Sequence, residues 1–153
     1  MSTVVIRDAT PDDAPALAPL LKVLGYPASP AVIRERLGRL LAGAPVDRVL
    51  VASVDGTIQG VAALHGTPTL HRPTVVGRVT GLAVSAGRHG SGVGRRLVEA
   101  AEAHFRALGA TRMEITSGAA HQPAHGFYRH LGYEDQGVRF AKRLVPPDAG
   151  ART

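Results

Sequence analysis

The residues best placed to do chemistry in this chain are a run of alternating glycines. His89-Gly90-Ser91-Gly92-Val93-Gly94 lies between an apolar, strand-like stretch ending near Val84 and a periodic stretch beginning around Val93. Glycines at alternate positions let a backbone bend sharply and approach a ligand with no Cβ in the way. The first turn of a helix leaves its N–H groups unpaired, and the positive end of the helix dipole lies there too, so the spacing predicts a cradle for phosphate or pyrophosphate. Arg88, Arg95 and Arg96 add charge beside it. The helix itself is read from Val93, Leu97, Ala100, Ala101, His104, Phe105 and Leu108, which recur at helical spacing, with Gly109 as the residue just past its end.

Two common phosphate loops do not fit. Gly87 and Gly92 have P-loop spacing, but Val93 and Gly94 stand where lysine and a hydroxyl residue are needed. The dinucleotide fingerprint fails because its third glycine falls on Arg95 or Leu97. The loop instead resembles the acyl-CoA loop of the GNAT family of N-acetyltransferases, Arg/Gln-x-x-Gly-x-Gly/Ala, with Gly92-Val93-Gly94 in register and His89 replacing the usual Arg or Gln. A second segment points the same way. Ala124, Phe127, Tyr128, Leu131, Gly132 and Tyr133 look like the family's Ala-x-x-Phe-Tyr-x-x-x-Gly-Phe/Tyr pattern.

The resemblance implies acetyl-CoA as cosubstrate. His89, Gly90, Ser91, Gly92, Val93, Gly94 and Arg95 would hold the diphosphate, and Leu82, Ala83 and Val84 would offer backbone groups to the pantetheine. Tyr128 would face the sulfur as general acid or as thiolate stabiliser. A phenol near pKa 10 is a weaker acid than a thiol near 8.5, so full proton transfer is uphill by roughly 2 kcal/mol. The general base is open. Thr80 stands where many relatives carry a glutamate, leaving Glu114, His65, His71, His121 or water; the plainer reading is a surface or salt-bridging group for Glu114 and loop residues for the histidines. His121 and His125 do not make a metal motif, so no metal is expected.

The elements that must position these residues follow from patterning. Thr3 to Arg7 reads as a strand, Thr10-Pro11 opens a helix with Leu17, Leu20, Leu21 and Leu24, and Pro19 should kink or split it. Ser29-Pro30 opens a second helix carrying Ile33, Leu37, Leu40 and Leu41. Arg48 to Val54 and Thr57 to His65 form a hairpin about Asp55-Gly56. Val75 to Val84 leads into the glycine loop, and Arg112 to Thr116 returns beyond the long helix as a parallel strand. Pro123 to His130 is a short helix and Arg139 to Val145 a last strand with Phe140 and Leu144 on one face. The class is α+β. The resemblance extends this to a GNAT acyl-CoA N-acyltransferase fold, a mixed and mostly antiparallel sheet flanked by helices with one parallel β-loop-α-β unit. Residues 1 to 153 read as a single domain with its core from about 3 to 145 and a frayed tail.

Composition sets outer bounds. The chain has 153 residues and no cysteine, which excludes disulfides and thiolate nucleophiles. The net charge of +6 comes from 18 Lys+Arg against 12 Asp+Glu, with the cations scattered and only three Tyr and three Phe, so nucleic acid is not an expected partner. No signal pattern or membrane-length apolar run is evident, and a cytoplasmic address is the default expectation. The expected activity is transfer of an acetyl group from acetyl-CoA to a primary amine by direct attack in a ternary complex; the alternative is a non-catalytic coenzyme A-binding domain. The acceptor and the oligomeric state, a homodimer included, stay open.

Overall fold

Asp55 and Gly56, at φ 50° and 87°, make the two-residue turn that sets the centre of the sheet. The turn joins β2 (Arg48–Val54) to β3 (Thr57–Thr67), with Val54 opposite Thr57. The computed structural model describes residues 3–88, 91–116, 122–137 and 139–146. Its described part falls into two compact units, Met1–Thr116 and Ser117–Thr153.

The first unit is a five-stranded sheet in sequence order, with β1 (Val4–Asp8), β4 (Val76–Val84) and β5 (Met113–Ile115) completing it. The first three pairings are antiparallel and β4–β5 is parallel. Alternation in the strands sends apolar side chains to both faces. Val49, Val51, Val61 and Ala83 pack beneath α1 (Ala14–Leu24) and α2 (Pro30–Leu41) through Leu17, Leu20, Ile33 and Leu37. Leu50, Ala52, Leu64 and Val79 pack on the other side beneath α3 (Val93–Ala107) through Val93, Leu97, Ala101 and Phe105. Every fully buried side chain among the described residues is apolar.

Two glycines decide how closely α3 lies on the sheet. A Cβ on Gly60 would come within 2.8 Å of Val93 Cγ1 and 2.9 Å of Leu97 Cδ1, and one on Gly77 would collide with the Phe105 ring. The first of these contacts is made by the first residue of the helix. Close approach at Gly60 therefore fixes the start of α3, where the glycine loop delivers the chain.

Local signals act as their chemistry dictates. Ser29 Oγ accepts from Val32 N–H at 3.3 Å and Pro30 is the first residue of α2. Pro11–Asp13 forms a 3-10 turn leading into α1, and Asp13 reaches back to accept from Thr10 N–H at 2.8 Å. α1 runs unbroken through Pro19, so the proline does not split the helix. It forfeits one ladder bond, while Leu17 and Leu20 beside it are buried and hold the turn by packing.

The second unit contains α4 (Gln122–His130). The expected strand from Arg139 to Val145 does not form: its described residues join no ladder, and Phe140 and Leu144 are 92 % and 91 % exposed. Lys142 falls between them on the same alternating face, so the stretch carries no continuous apolar stripe to bury.

Candidate active site

The decisive geometry in the first unit is a fork between β4 and β5. The parallel ladder contains Gly77–Met113, Arg78–Glu114 and Val79–Ile115, closed by Thr116 N–H donating to Val79 C=O at 3.2 Å. At that point β4 carries a bulge. Ala63 on β3 opposes Gly81 while Leu64 opposes Val79, leaving Thr80 as the extra residue. A bulge bends its strand and sharpens the twist, and β5 stops where β4 bends. Val79 and Leu82 both face the α3 side, whereas Gly81 looks towards α1, with Leu24 Cδ1 3.8 Å from where its Cβ would be.

Beyond the bulge β4 continues its pairing with β3 up to Val84. Ser85 N–H donates to Gln59 C=O at 2.8 Å, which fixes the alternation. Gly81 and Ala83 exchange bonds with β3, and the N–H and C=O groups of Leu82 and Val84 point to the other edge of the strand. Of the sequence-predicted trio Leu82, Ala83 and Val84, the first and last thus direct backbone groups away from β3, and Ala83 is committed to the sheet and the α1 core.

The fork leads to the glycine loop. Ala86–Arg88 makes a 3-10 turn, with Arg88 N–H donating to Ser85 C=O at 2.8 Å. His89 and Gly90 lie outside the described residues. Ser91 N–H donates to Arg88 C=O at 3.2 Å, and the Ser91 hydroxyl makes a short bond to the same carbonyl, so this residue shapes the loop. Gly92 is left-handed at φ 90° and caps α3, accepting from Arg96 N–H at 3.0 Å. The N–H groups of Val93, Gly94 and Arg95 then point out of the first turn with no helical partner among the described residues. The Val93 side chain is buried, Arg95 is exposed at the same turn, and Arg96 bends away to donate to Val4 C=O at 3.4 Å. The first turn thus presents amide donors and the positive end of the helix dipole, with no acidic side chain in that turn.

Tyr128 belongs to the second unit, and its setting explains the glycine that follows it. Tyr133 N–H donates to Tyr128 C=O at 3.0 Å, Gly132 N–H donates to Arg129 C=O at 3.0 Å, and Gly132 is left-handed at φ 95°. These are the two bonds of a Schellman cap, which brings the residue after the glycine back over the last turn. The Tyr133 ring accordingly meets the Tyr128 ring edge-on at 6.5 Å, and the Phe127 ring lies 5.4 Å from it. Burial pushes the Tyr128 phenol above its usual pKa, holding it protonated.

The candidate bases separate clearly. Glu114 accepts from Arg112 Nε at 2.8 Å and lies 3.2 Å from Arg78 Nη1; the Arg112 hydrogen bond, then the charges of Arg78 and Arg112, hold its carboxyl below the ordinary range. It is an ion-pair partner. His65 lies 3.8 Å from Asp47 and is half-buried, His71 is exposed, and His121 lies outside the described residues. His104 is structural: Nε2 is 2.8 Å from Val46 C=O and must donate to it, leaving Nδ1 to face Arg48. No three metal-ligating side chains converge among the described residues. Sequence reasoning missed the Thr80 bulge, which has no compositional signal, and the Arg78–Glu114–Arg112 group. Charged residues alternating with Val79, Met113 and Ile115 were the available sign of the latter.

The family model for the acetyltransferase (GNAT) family matches residues 18–133. The chain belongs to the GNAT family. Its similarity to an aminoglycoside N(6')-acetyltransferase type 1 of Stenotrophomonas maltophilia is 33 % identity over 152 residues, covering 97 % of this chain and 98 % of that protein. An aminoalkylphosphonate N-acetyltransferase of Salmonella typhimurium is 31 % identical over 90 residues, and there the match spans only 59 % of this chain and 58 % of the relative. Among solved structures, the aminoglycoside N-acetyltransferase AAC(6')-Iy in complex with CoA shares the fold at a TM-score of 0.80 and 19 % identity, covering 95 % of this chain and 97 % of that one. This GNAT chain is an acyltransferase of a family that uses acetyl-CoA and amine acceptors. Among its described residues no helix is long and apolar enough to cross a membrane.

Proposed function

We propose that this GNAT protein transfers acetyl from acetyl-CoA to a primary amine by direct attack, with both substrates bound together. The observation that carries the reading is the fork, where the Leu82 backbone turns away from β3 and β4 leads on to the amide donors of Val93, Gly94 and Arg95. A pantetheine arm needs an extended backbone to bond to and a diphosphate needs convergent donors, and the chain offers both in that order. We assign His89, Gly90 and Ser91 to the same loop, the last as its brace. When bound, acetyl-CoA supplies an activated acyl carbon.

The residues of the chain do the rest. The amine nitrogen forms a bond to the acyl carbon, the carbon–sulfur bond breaks, and the thiolate that departs needs a donor. Tyr128 supplies it. Because burial raises the phenol further above the thiol, proton hand-over costs still more, and Tyr128 acts as a hydrogen-bond donor to sulfur while keeping its proton. Thr80 is exposed, so water reaches the strand at the bulge and takes the proton that the amine loses. The family domain is taken to span both units, residues 1–153.

Purified protein mixed with acetyl-CoA and a panel of cationic, neutral and anionic amines should release free thiol with at least one of them. Coenzyme binding without thiol release across the panel would replace this reading with a coenzyme-binding, non-catalytic one.

A further inference from the structure

A row of charged side chains crosses the sheet face opposite α3. His65, Arg78 and Glu114 lie in one row across β3, β4 and β5, since His65 opposes Arg78 and Arg78 opposes Glu114. Their neighbours Leu64, Val79, Met113 and Ile115 all pack on the α3 side, so alternation turns these three to the other face. Arg112 joins the row through its bond to Glu114, and the charge of Arg72 also reaches that carboxylate. Two guanidinium groups thus flank one carboxylate, Arg112 on one oxygen and Arg78 on the other. With Asp47 beside His65 included, the local balance is positive by one charge (three Arg minus Glu114 and Asp47). The row is held but reachable: the side chains of Arg78, Arg112 and Glu114 are 37 %, 32 % and 30 % exposed.

Its position is what gives it meaning. The Arg78–Glu114 rung is next to the last rung of the ladder, so the guanidinium groups stand at the closed end of the fork. The diphosphate site lies at the opposite end, about 20 Å farther along from Arg78 to Val84 alone at the usual rise per residue. One positive region therefore serves the coenzyme, and this one is a separate region on the same strand.

We propose that the Arg78 and Arg112 pair about Glu114 selects an amine acceptor carrying an anionic group, a phosphonate, phosphate or carboxylate. The inference rests on the acetyl-transfer reading above and names its substrate class. Planar guanidinium pairs oxyanions with two parallel N–H donors, and a neighbouring carboxylate orients the fork without neutralising the surplus. A polycationic acceptor would meet repulsion here.

The test compares 2-aminoethylphosphonate and β-alanine with the neutral-tailed propylamine and with 1,3-diaminopropane, by thiol release with acetyl-CoA. Turnover should favour the two anionic amines, and the ratio of their kcat/KM to that of propylamine should fall about tenfold in Arg78→Gln. The same ratio should rise in Glu114→Gln, a variant that removes the opposing charge. Equal or better turnover of the diamine, or a ratio that neither substitution moves, overturns the proposal while leaving acetyl transfer intact. Calorimetric titration of 2-aminoethylphosphonate into the coenzyme-loaded protein decides the matter if no amine is turned over. Binding weakened in Arg78→Gln and strengthened in Glu114→Gln supports the anionic subsite, and no heat of binding, or binding that neither variant alters, rejects it.

Discussion

A tyrosine can be a core residue or a reagent, and the second is the role proposed for Tyr128. Phe127 and Tyr133 flank its ring, and the raised pKa keeps its proton in place through the whole physiological range. Tyr128→Phe preserves both ring contacts and removes only the hydroxyl. We expect kcat to fall about a hundredfold with the KM for acetyl-CoA nearly constant, a split that steady-state kinetics will read directly. Gly92 is the complementary case. At φ 90° a Cβ meets no neighbour, so Gly92→Ala costs only backbone strain, roughly 1–2 kcal/mol. Relief of that strain would turn the amides of Val93 and Gly94, and coenzyme affinity by titration should drop while the melting temperature falls modestly. The glycine spacing was legible in the sequence because the backbone freedom it confers belongs to residue type. The guanidinium row was not, since it depends on register between strands separated by a 15-residue helix.

At the level of elements, helix starts and stops were the most readable features. Ser29-Pro30, Asp55-Gly56 and Gly109 each act through a local bond or a dihedral that needs no tertiary information. Gly109 is left-handed and Ala110 N–H returns to Phe105 C=O at 3.0 Å, the same cap that serves α4. The strand expected over Arg139 to Val145 failed because a strand needs a neighbour, which alternation alone cannot supply. The junction of β1 and α1 offers a quantitative check. Asp13 accepts from Arg7 Nη1 and Nη2 at 2.8 and 2.9 Å as well as from Thr10 N–H, and the Arg7 bonds above all hold its carboxyl below the usual range. Asp13→Asn should destabilise the fold by about 1 kcal/mol at pH 7 in urea denaturation. A carboxylate with a lowered folded pKa contributes stability above its unfolded pKa and loses it as pH falls through the folded value. The gap between wild type and variant should therefore narrow below about pH 4.

On the scale of the whole molecule, the match to the family runs through both compact units, from residue 18 to residue 133. The unequal quality of packing within the chain is open to test. The first unit buries two apolar layers about its sheet, whereas Phe140 stands exposed between Arg139 and Lys142 in a stretch without helix or ladder. Limited trypsin digestion should cut after Arg139 or Lys142 well before any arginine of β2 or β4, with the fragment masses read by mass spectrometry. Early cleavage at Arg48 or Arg78 would contradict the packing described here. Fold class was readable at this scale because two motifs in the right order constrain a chain more than composition does; the acceptor was not, because charge counted over the chain averages away a local surplus.

Thr80 is the one residue on β4 without an opposite number, and its removal would be informative beyond its size. Deleting it would let Val79 and Gly81 follow one another in even pleats, and β5 could then zip onto β4 past Ile115. The resulting sheet would be more regular, with a higher unfolding midpoint and no opening for a thioester arm. Irregularity at a single peptide thus separates a scaffold that merely folds from one that can receive a guest.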